Sequence, residues 1–387
     1  MNESVKNLLP VYLLVFLRSL GLSLSVTGPT LPLYVRSLGV SVGQWGLLST
    51  SFAVGLISFE AFWGFMSDRI NRIRILVFAM IFMAIIVPLY TFQGFQSYFF
   101  LFQFLMGSFM VMVGPTTRAL IADHSPDNRL GFNMSLWSTC VSMGGIIGPS
   151  LGGYLSKNIG YEIVFYTTSI ILFFSVVILL LTGPSLRIKT KTQKRIKLME
   201  SIKAVFSSNV GIAFILAFLI YLGVSSVRSF LPIYASELYF MDEVRVGLMI
   251  TIGTMLQLFV TPFMGGLSDR YNVKNMLMIT LGCSGILFLL LRIALKPIHV
   301  MLLAIGLIIS FSSQSLSLIL LSKLASREKL GITMGLYGSF EDLGLLLGPL
   351  IYGYIWETYS PRNIYLITAG AAFTAICLIY RSKRIES

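Results

Sequence analysis

Gly64-Phe65-Met66-Ser67-Asp68-Arg69 is answered by Gly265-Gly266-Leu267-Ser268-Asp269-Arg270, with glycine, serine, aspartate and arginine in the same places. From Asp68 to Asp269 is 201 positions. Working outward, Leu31-Pro32-Leu33-Tyr34 returns as Leu231-Pro232-Ile233-Tyr234, and Gly148-Pro149 returns as Gly348-Pro349, with Gly153 matched by Gly353. These pairs stand 200 positions apart. Separate landmarks holding nearly one offset across each half mean a tandem duplication, and internal repeats in an apolar chain are the mark of a secondary transporter.

The composition sets the solvent. Residues are 56% hydrophobic and 12% charged over 387 positions, too little polar material to cover a water-soluble domain of this size. A spanning helix needs about 20 mostly apolar residues, and about twelve such spans are read, six on each side of a polar stretch. The expected organisation is a six-helix bundle over residues 1–185, a basic linker over 186–207 and a second six-helix bundle over 208–387. The fold class expected is an all-α membrane protein of about twelve transmembrane helices in two pseudo-symmetric bundles.

A formal net charge of +13 does not indicate nucleic acid here, because its distribution follows the membrane. Arg69, Arg72, Arg74, Arg129, the linker basics from Arg187 to Lys197, Arg270, Lys274, Arg327, Lys329, Arg381, Lys383 and Arg384 all fall on one side. The opposite side carries fewer, mixed with Glu162, Asp242, Glu243 and Glu357. By the positive-inside rule, both termini and the linker are cytoplasmic in a multi-pass protein of the cell membrane. Cys140, Cys283 and Cys377 fall within spans, where apolar packing is the expected role and no disulfide is expected. No cleavage-site pattern precedes the first span, which is expected to remain in the protein.

The stretch Gly64 to Arg74, reading GFMSDRINRIR, resembles the signature loop between helices two and three of the major facilitator superfamily. Gly265 to Lys274 resembles its second copy. The resemblance implies that Gly64 lets span two approach span eleven, and that Asp68, Arg69 and Arg72 form a charged latch with Asp123 as a further acid. Gly265, Asp269 and Arg270 are the corresponding residues of the second half. An acid beside several arginines at a wet boundary costs little and can break and re-form. A stop-transfer cluster that only sets topology is the alternative, although topology requires neither Gly64 nor a second copy.

The run Gly144 to Gly153, GGIIGPSLGG, resembles the fifth-helix motif of that family's antiporters, which implies export in exchange for protons. Gly144, Gly148 and Gly152 recur every fourth residue and so share one face on which another backbone can approach; Gly153 follows, and Pro149 removes a helical hydrogen bond. Ordinary small-residue packing is the alternative. The family also places an arginine four residues before a glycine in helix four. Here that position is Gln103, before Gly107, so coupling through that arginine is not open to this chain, and Gln103 either meets substrate or bridges helices.

Ionisable groups at membrane depth are costly, and few are present. Arg18 and Glu60 lie at matching depths in spans one and two, so an ion pair is expected. Arg228 lies in span seven, and Glu341 and Asp342 lie mid-span in span eleven, about 100° apart on the helix. Glu60, Glu341 and Asp342 are the proton-site candidates, and Arg18 and Arg228 are candidates for an anionic substrate group. Trp63, Trp137, Tyr221, Phe230 and Phe340 are candidates for apolar or cation-binding walls, while Trp45, at the outer edge of span two, reads as an interfacial anchor.

Other chemistry is poorly served. Gly39-Val40-Ser41-Val42-Gly43 fits a hydrolase pattern but has no strand before it. Two histidines, His124 and His299, cannot build a metal site or a triad, and no Gly-Lys dipeptide exists for a nucleotide loop. The expectation is therefore a transporter, not an enzyme, with no cofactor and no metal. It is expected to act as a monomer in the lipid bilayer, by alternating access, exchanging small amphipathic compounds for protons. An anionic or lipid-linked solute is the alternative, and a membrane sensor that has lost flux is a third reading.

Overall fold

The computed structural model describes residues 3–67, 70–92, 94, 96–126, 129–182, 210–325 and 330–381. The 186–207 linker lies outside them. The described residues contain no strand. They form α1 (Glu3–Leu24), α2 (Thr30–Ser37), α3 (Val42–Ser67), α4 (Arg72–Leu89), α5 (Phe99–His124), α6 (Leu130–Asn158) and α7 (Tyr161–Thr182). After the linker come α8 (Gly211–Ser225), α9 (Leu231–Tyr239), α10 (Glu243–Ser268), α11 (Val273–Arg292), α12 (Pro297–Ser310), α13 (Ser313–Leu324), α14 (Leu330–Thr358) and α15 (Asn363–Arg381). Nine helical stretches among the described residues are long and apolar enough to cross a membrane. Of the rest, α6 and α14 each hold six glycines, and the first span is broken.

That break divides the first of the twelve spans, which the sequence presents as one apolar stretch. Helix α1 stops at Leu24 because Gly28-Pro29 follows, and Pro29 has no N–H to continue the ladder. The chain bridges the gap with Thr27 N to Leu22 O at 2.8 Å and Leu31 N to Ser25 O at 3.1 Å, and the Thr30 hydroxyl donates to Leu24 O at 2.6 Å. Orphan carbonyls are thus satisfied inside the membrane, as a bilayer demands. The second half interrupts its helix at the corresponding place, with a π-helical turn at Ser226–Phe230 between α8 and α9. The tenth span is likewise divided, between α12 and α13.

The chain divides into two compact units. Unit 1 takes in Met1–Ser37, Ser51–Gln193 and Asp242–Thr251; unit 2 takes in Leu38–Thr50, Lys194–Met241 and Ile252–Ser387. The first turns of α3 thus pack with unit 2, and those of α10 with unit 1. In unit 1 the main packed pairs are α1 with α6, α4 with α7, α1 with α7 and α4 with α5; in unit 2 they are α8 with α14, α11 with α15, α8 with α15 and α11 with α12. The repeat seen in sequence reappears as one packing order used twice. Outward from these seams the surface is apolar: Ile170, Phe173, Phe174 and Leu181 form an exposed stripe along α7, tolerable only where lipid covers it. Cys283 and Cys377 are on exposed surface, contrary to the packing role expected, and Cys140 is half-buried; all three are free thiols.

Candidate functional site

At the signature loop, Arg72 opens α4 and its guanidinium donates to the Asp123 carboxylate near the end of α5. Asp68 and Arg69 lie outside the described residues. Just beside the pair, the Asn71 side chain accepts from Ile73 N at 2.9 Å and caps α4, while Asn272 accepts from Lys274 N at 2.8 Å and caps α11. Sequence reasoning passed over this asparagine, although its recurrence 201 positions later was legible. The cap satisfies one of the donors that every helix N-terminus leaves free, and so fixes where Arg72 starts. In the second copy, Asp269 and Arg270 are exposed and form no ion pair among the described residues. A side chain at Gly265 would meet no described atom within 4 Å.

Close approaches are instead concentrated on the Gly-Pro helices. A Cβ added at Gly144 would lie 2.5 Å from Leu20 N and 2.8 Å from Phe16 O; one at Gly148 would strike Ser23, and one at Gly152 would strike Leu24 O. The four-residue glycine stripe of α6 therefore faces α1. Hydrogen bonds seal the seam, with Ser19 Oγ donating to Val141 O at 2.6 Å and Ser23 Oγ to Gly144 O at 2.8 Å. Unit 2 repeats the arrangement, since Gly344 lies against Phe218 and Leu222 of α8, and Gly348 against Ser225.

The approach expected at Gly64 lies outside the described side chains, but spans two and eleven do meet through a second glycine seam. It forms at the opposite end of α3 from Gly64: Gly46 lies against Pro349 and Gly353, whose Cα would be 3.1 Å from a Gly46 side chain. Gly43 N donates to Glu357 Oε1 at 2.8 Å, and Thr50 Oγ1 to Leu346 O at 3.2 Å. Trp45 is no interfacial anchor here; it is 4% exposed and its indole N–H donates to Ser229 O at 2.9 Å. Unit 1 holds the counterpart. Gly247 lies against Pro149 and Ser150, Gly153 against Glu243, and Thr251 Oγ1 donates to Ile146 O at 2.8 Å. Gly46 and Gly247, like Thr50 and Thr251, stand 201 apart, a signal the sequence carried. Two charged contacts close this corner, Lys157 Nζ to Asp242 Oδ2 at 2.7 Å and Tyr161 OH to Glu243 Oε1 at 2.6 Å. The hydrogen bond from Lys157 holds the Asp242 carboxyl below the usual carboxylate range, against a smaller opposing effect of burial.

The intramembrane charges divide between the units. In unit 2, the Tyr221 hydroxyl hydrogen-bonds to the Glu341 side chain, with Arg228 and Tyr337 close enough to act on the same group. Tyr221 and Arg228 are two turns apart, and Tyr337 and Glu341 one turn apart, so two facing helices supply one cluster. Arg228 lies within the π-turn and is reachable by solvent although protein surrounds it densely. π-turns are frequent where a helix carries function. Glu341 and Asp342 are both half-buried.

In unit 1 the expected Arg18–Glu60 pair does not form. Arg18 is 9% exposed and its Nη2 donates to Met110 O at 3.2 Å, while Glu60 is exposed and meets no cation among the described residues. Gln103 is buried and its Oε1 has no hydrogen-bond partner. Among the aromatic candidates, Trp137 stacks under Arg118, whose guanidinium lies 5.5 Å from the ring centroid, and donates to Thr117 Oγ1 at 3.0 Å. Phe340 stacks on Phe214 at 5.3 Å, Trp63 packs edge-on against Phe62 at 4.9 Å, and Phe230 is buried against Tyr352. Phe340 and Phe230 thus pack one helix on another, as does Trp63 through Phe78 of α4, ring centroids 6.4 Å apart. No group of His, Cys, Asp or Glu among the described residues could hold a metal ion.

Comparison with known proteins agrees with this geometry. The model of the Major Facilitator Superfamily matches residues 11–242 and again 213–386. The chain is 25% identical to the quinolone resistance protein NorA of Staphylococcus aureus (strain COL), over 98% of both chains. It is 27% identical to the multidrug resistance protein MdtG of Klebsiella pneumoniae (strain 342), over 92% of this chain and 89% of that one. Among solved structures it is similar to the nucleoside transporter NupG, with TM-score 0.79 and 16% identity over 99% of this chain and all of that one. A bacterial homolog of the human lysosomal transporter Spinster gives TM-score 0.76 and 14% identity, covering 100% of this chain and 98% of that one. Identities this low speak to fold alone.

Proposed function

We propose, from the premise that this chain belongs to the Major Facilitator Superfamily, that it exports small amphipathic compounds in exchange for protons. It is a membrane transporter of small-molecule substrates and not an enzyme. Export of drug-like compounds is supported by its likeness, along nearly the whole chain, to proteins named for quinolone and multidrug resistance. The proposed setting is the cell membrane, with both termini cytoplasmic and one chain as the working unit.

The observation that carries the proton coupling is Glu341, half-buried at membrane depth and hydrogen-bonded to Tyr221 beside Arg228. Desolvation favours the neutral acid and a nearby cation favours the carboxylate, so a small change in wetting or in the distance to Arg228 moves the proton. Tyr221 holds the carboxyl in place through either state. Asp342 and Glu60 are the other acids able to take this part. Alternating access then exposes the acid to each side in turn.

The test is reconstitution into proteoliposomes with an imposed pH gradient and an amphipathic fluorescent dye. Glu341→Gln should lose gradient-driven accumulation and keep downhill dye exchange, because the amide preserves shape but cannot titrate near neutral pH. Should Glu60→Gln, Glu341→Gln and Asp342→Asn each still concentrate dye against its gradient, proton exchange by these acids is wrong.

A further inference from the structure

Arg18 is the most expensive side chain in unit 1. It sits deep in the first span, 9% exposed, with its Nη2 on a backbone carbonyl and its Nε enclosed without a partner. Its Nη1 also makes no hydrogen bond but, unlike Nε, is not sealed from solvent. No carboxylate among the described residues contacts it, and Glu60, the acid at its depth, is exposed elsewhere. A guanidinium taken out of water costs several kcal/mol unless paired, and one carbonyl is a weak return for five donors. A fold that needed only a tie from α1 to α5 has cheaper ways to make it; serine hydroxyls already tie α1 to α6.

The surroundings leave room on the same side. One turn past Met110 on α5, a side chain added at Gly114 would meet no described atom within 4 Å. One turn further, Arg118 adds a second cation, held only by Trp137 and by a long contact to Gly114 O. Arg18, reaching this face from α1, and Arg118 on α5 itself thus put two cations along it, and no carboxylate among the described residues contacts either.

We propose that Arg18 is the receptor for an anionic group on the transported compound, so that the preferred substrates are amphipathic molecules bearing a carboxylate. The proposal rests on the export reading above and specifies its substrate class. The carboxylate accepts from Nη1, the nitrogen of the guanidinium that solvent reaches, and supplies a counter-charge that no described residue in contact with Arg18 provides. Arg18 is then loaded and unloaded with substrate, which a permanent internal salt bridge would prevent.

The experiment compares rhodamine B, with its free carboxylate, and rhodamine B ethyl ester, the same dye without it. Equilibrium binding is measured on the purified full chain in phosphatidylcholine nanodiscs, apart from any flux. Wild type should bind the acid in preference to the ester, and Arg18→Gln should lose about tenfold or more for the acid, roughly 1.4 kcal/mol, with the ester unchanged. Arg18→Lys should recover part of the loss. Equal affinities for acid and ester in wild type, or an equal loss of both in a monodisperse Arg18→Gln protein, overturns the proposal. Phosphatidylglycerol that displaces rhodamine B from wild type but not from Arg18→Gln overturns it too, in favour of a lipid headgroup at Arg18. Acid-selective binding without pH-driven flux would instead refute proton-coupled export and leave the anion site standing.

Discussion

Replacing Gly144 by alanine tests the seam on which unit 1 is built. The added methyl would lie 2.5 Å from Leu20 N, 2.7 Å from Ser19 Cβ and 2.8 Å from Phe16 O. Two of these are backbone atoms that no rotamer change can move. Restoring ordinary contact near 3.5 Å requires α1 and α6 to part by about 1 Å, which stretches the Ser19–Val141 and Ser23–Gly144 bonds, now 2.6 and 2.8 Å. Overpacking costs about 1–3 kcal/mol and each interhelical hydrogen bond in a membrane about 0.6, so the substitution should cost about 2–4 kcal/mol. The control is Gly370→Ala in α15, where no described atom lies within 4 Å and alanine should gain up to about 0.5–1 kcal/mol as the better helix former. Thermal unfolding in detergent, followed by intrinsic fluorescence, should rank Gly144→Ala below wild type and Gly370→Ala level with it or above. A Gly144→Ala protein that melts with wild type would mean that α1 and α6 do not touch through this glycine.

Asp68→Asn and, independently, Arg72→Gln should impair transport while leaving the melting temperature within a degree or two of wild type, because the first removes the acid expected of the latch and the second the contact to Asp123 at a wet boundary; wild-type flux in both would reduce the motif to a topology signal. The Asp242 carboxyl, held low by Lys157, stabilises the folded chain above the unfolded acid's pKa of about 3.9 and ceases to do so as pH falls through the lower folded value. Lys157→Met should therefore cost at most about 1 kcal/mol at pH 7 and progressively less below about pH 4. Melting curves of both proteins at pH 7 and pH 3 check this, and a penalty unchanged at pH 3 would assign the effect of Lys157 to packing.

Much of the fold was legible because duplication and hydropathy are linear properties of the chain. The offset of 200 to 201 residues said that each half would pack alike, and α1 with α6 is indeed matched by α8 with α14. The glycine stripe at Gly144, Gly148 and Gly152 was legible as a shared face from its period alone, although the partner, α1, was not. The helix interruptions were less so. Gly28-Pro29 is a plain breaker, whereas Ser226 to Phe230 contains neither glycine nor proline; the breaker lies just beyond, at Pro232 of α9, which has no N–H to offer the Arg228 carbonyl.

The charged residues separate depth from direction. Counting turns put Arg18 and Glu60 at one height, and that inference needs only the 1.5 Å rise per residue. Pairing also needs azimuth, and each residue advances 100°, so an error of one position in the helix phase turns a side chain away from its partner. Arg18 faces α5 and reaches Met110, whereas Glu60 points to open surface. Tyr337 and Glu341, one turn apart on a single helix, share height and direction, and Tyr221 meets Glu341 from the facing helix; the sequence alone does not single out this cluster. Arg18, with no carboxylate in contact among the described residues, and Arg228, beside the tyrosine that holds Glu341, are therefore different chemical situations that looked alike in sequence. On the proposal above, a substrate anion gains a full charge pair at Arg18, whereas near Arg228 it meets the hydrogen-bonded Tyr221–Glu341 pair. The proposed division therefore assigns recognition of a substrate anion to Arg18 and proton exchange to Glu341.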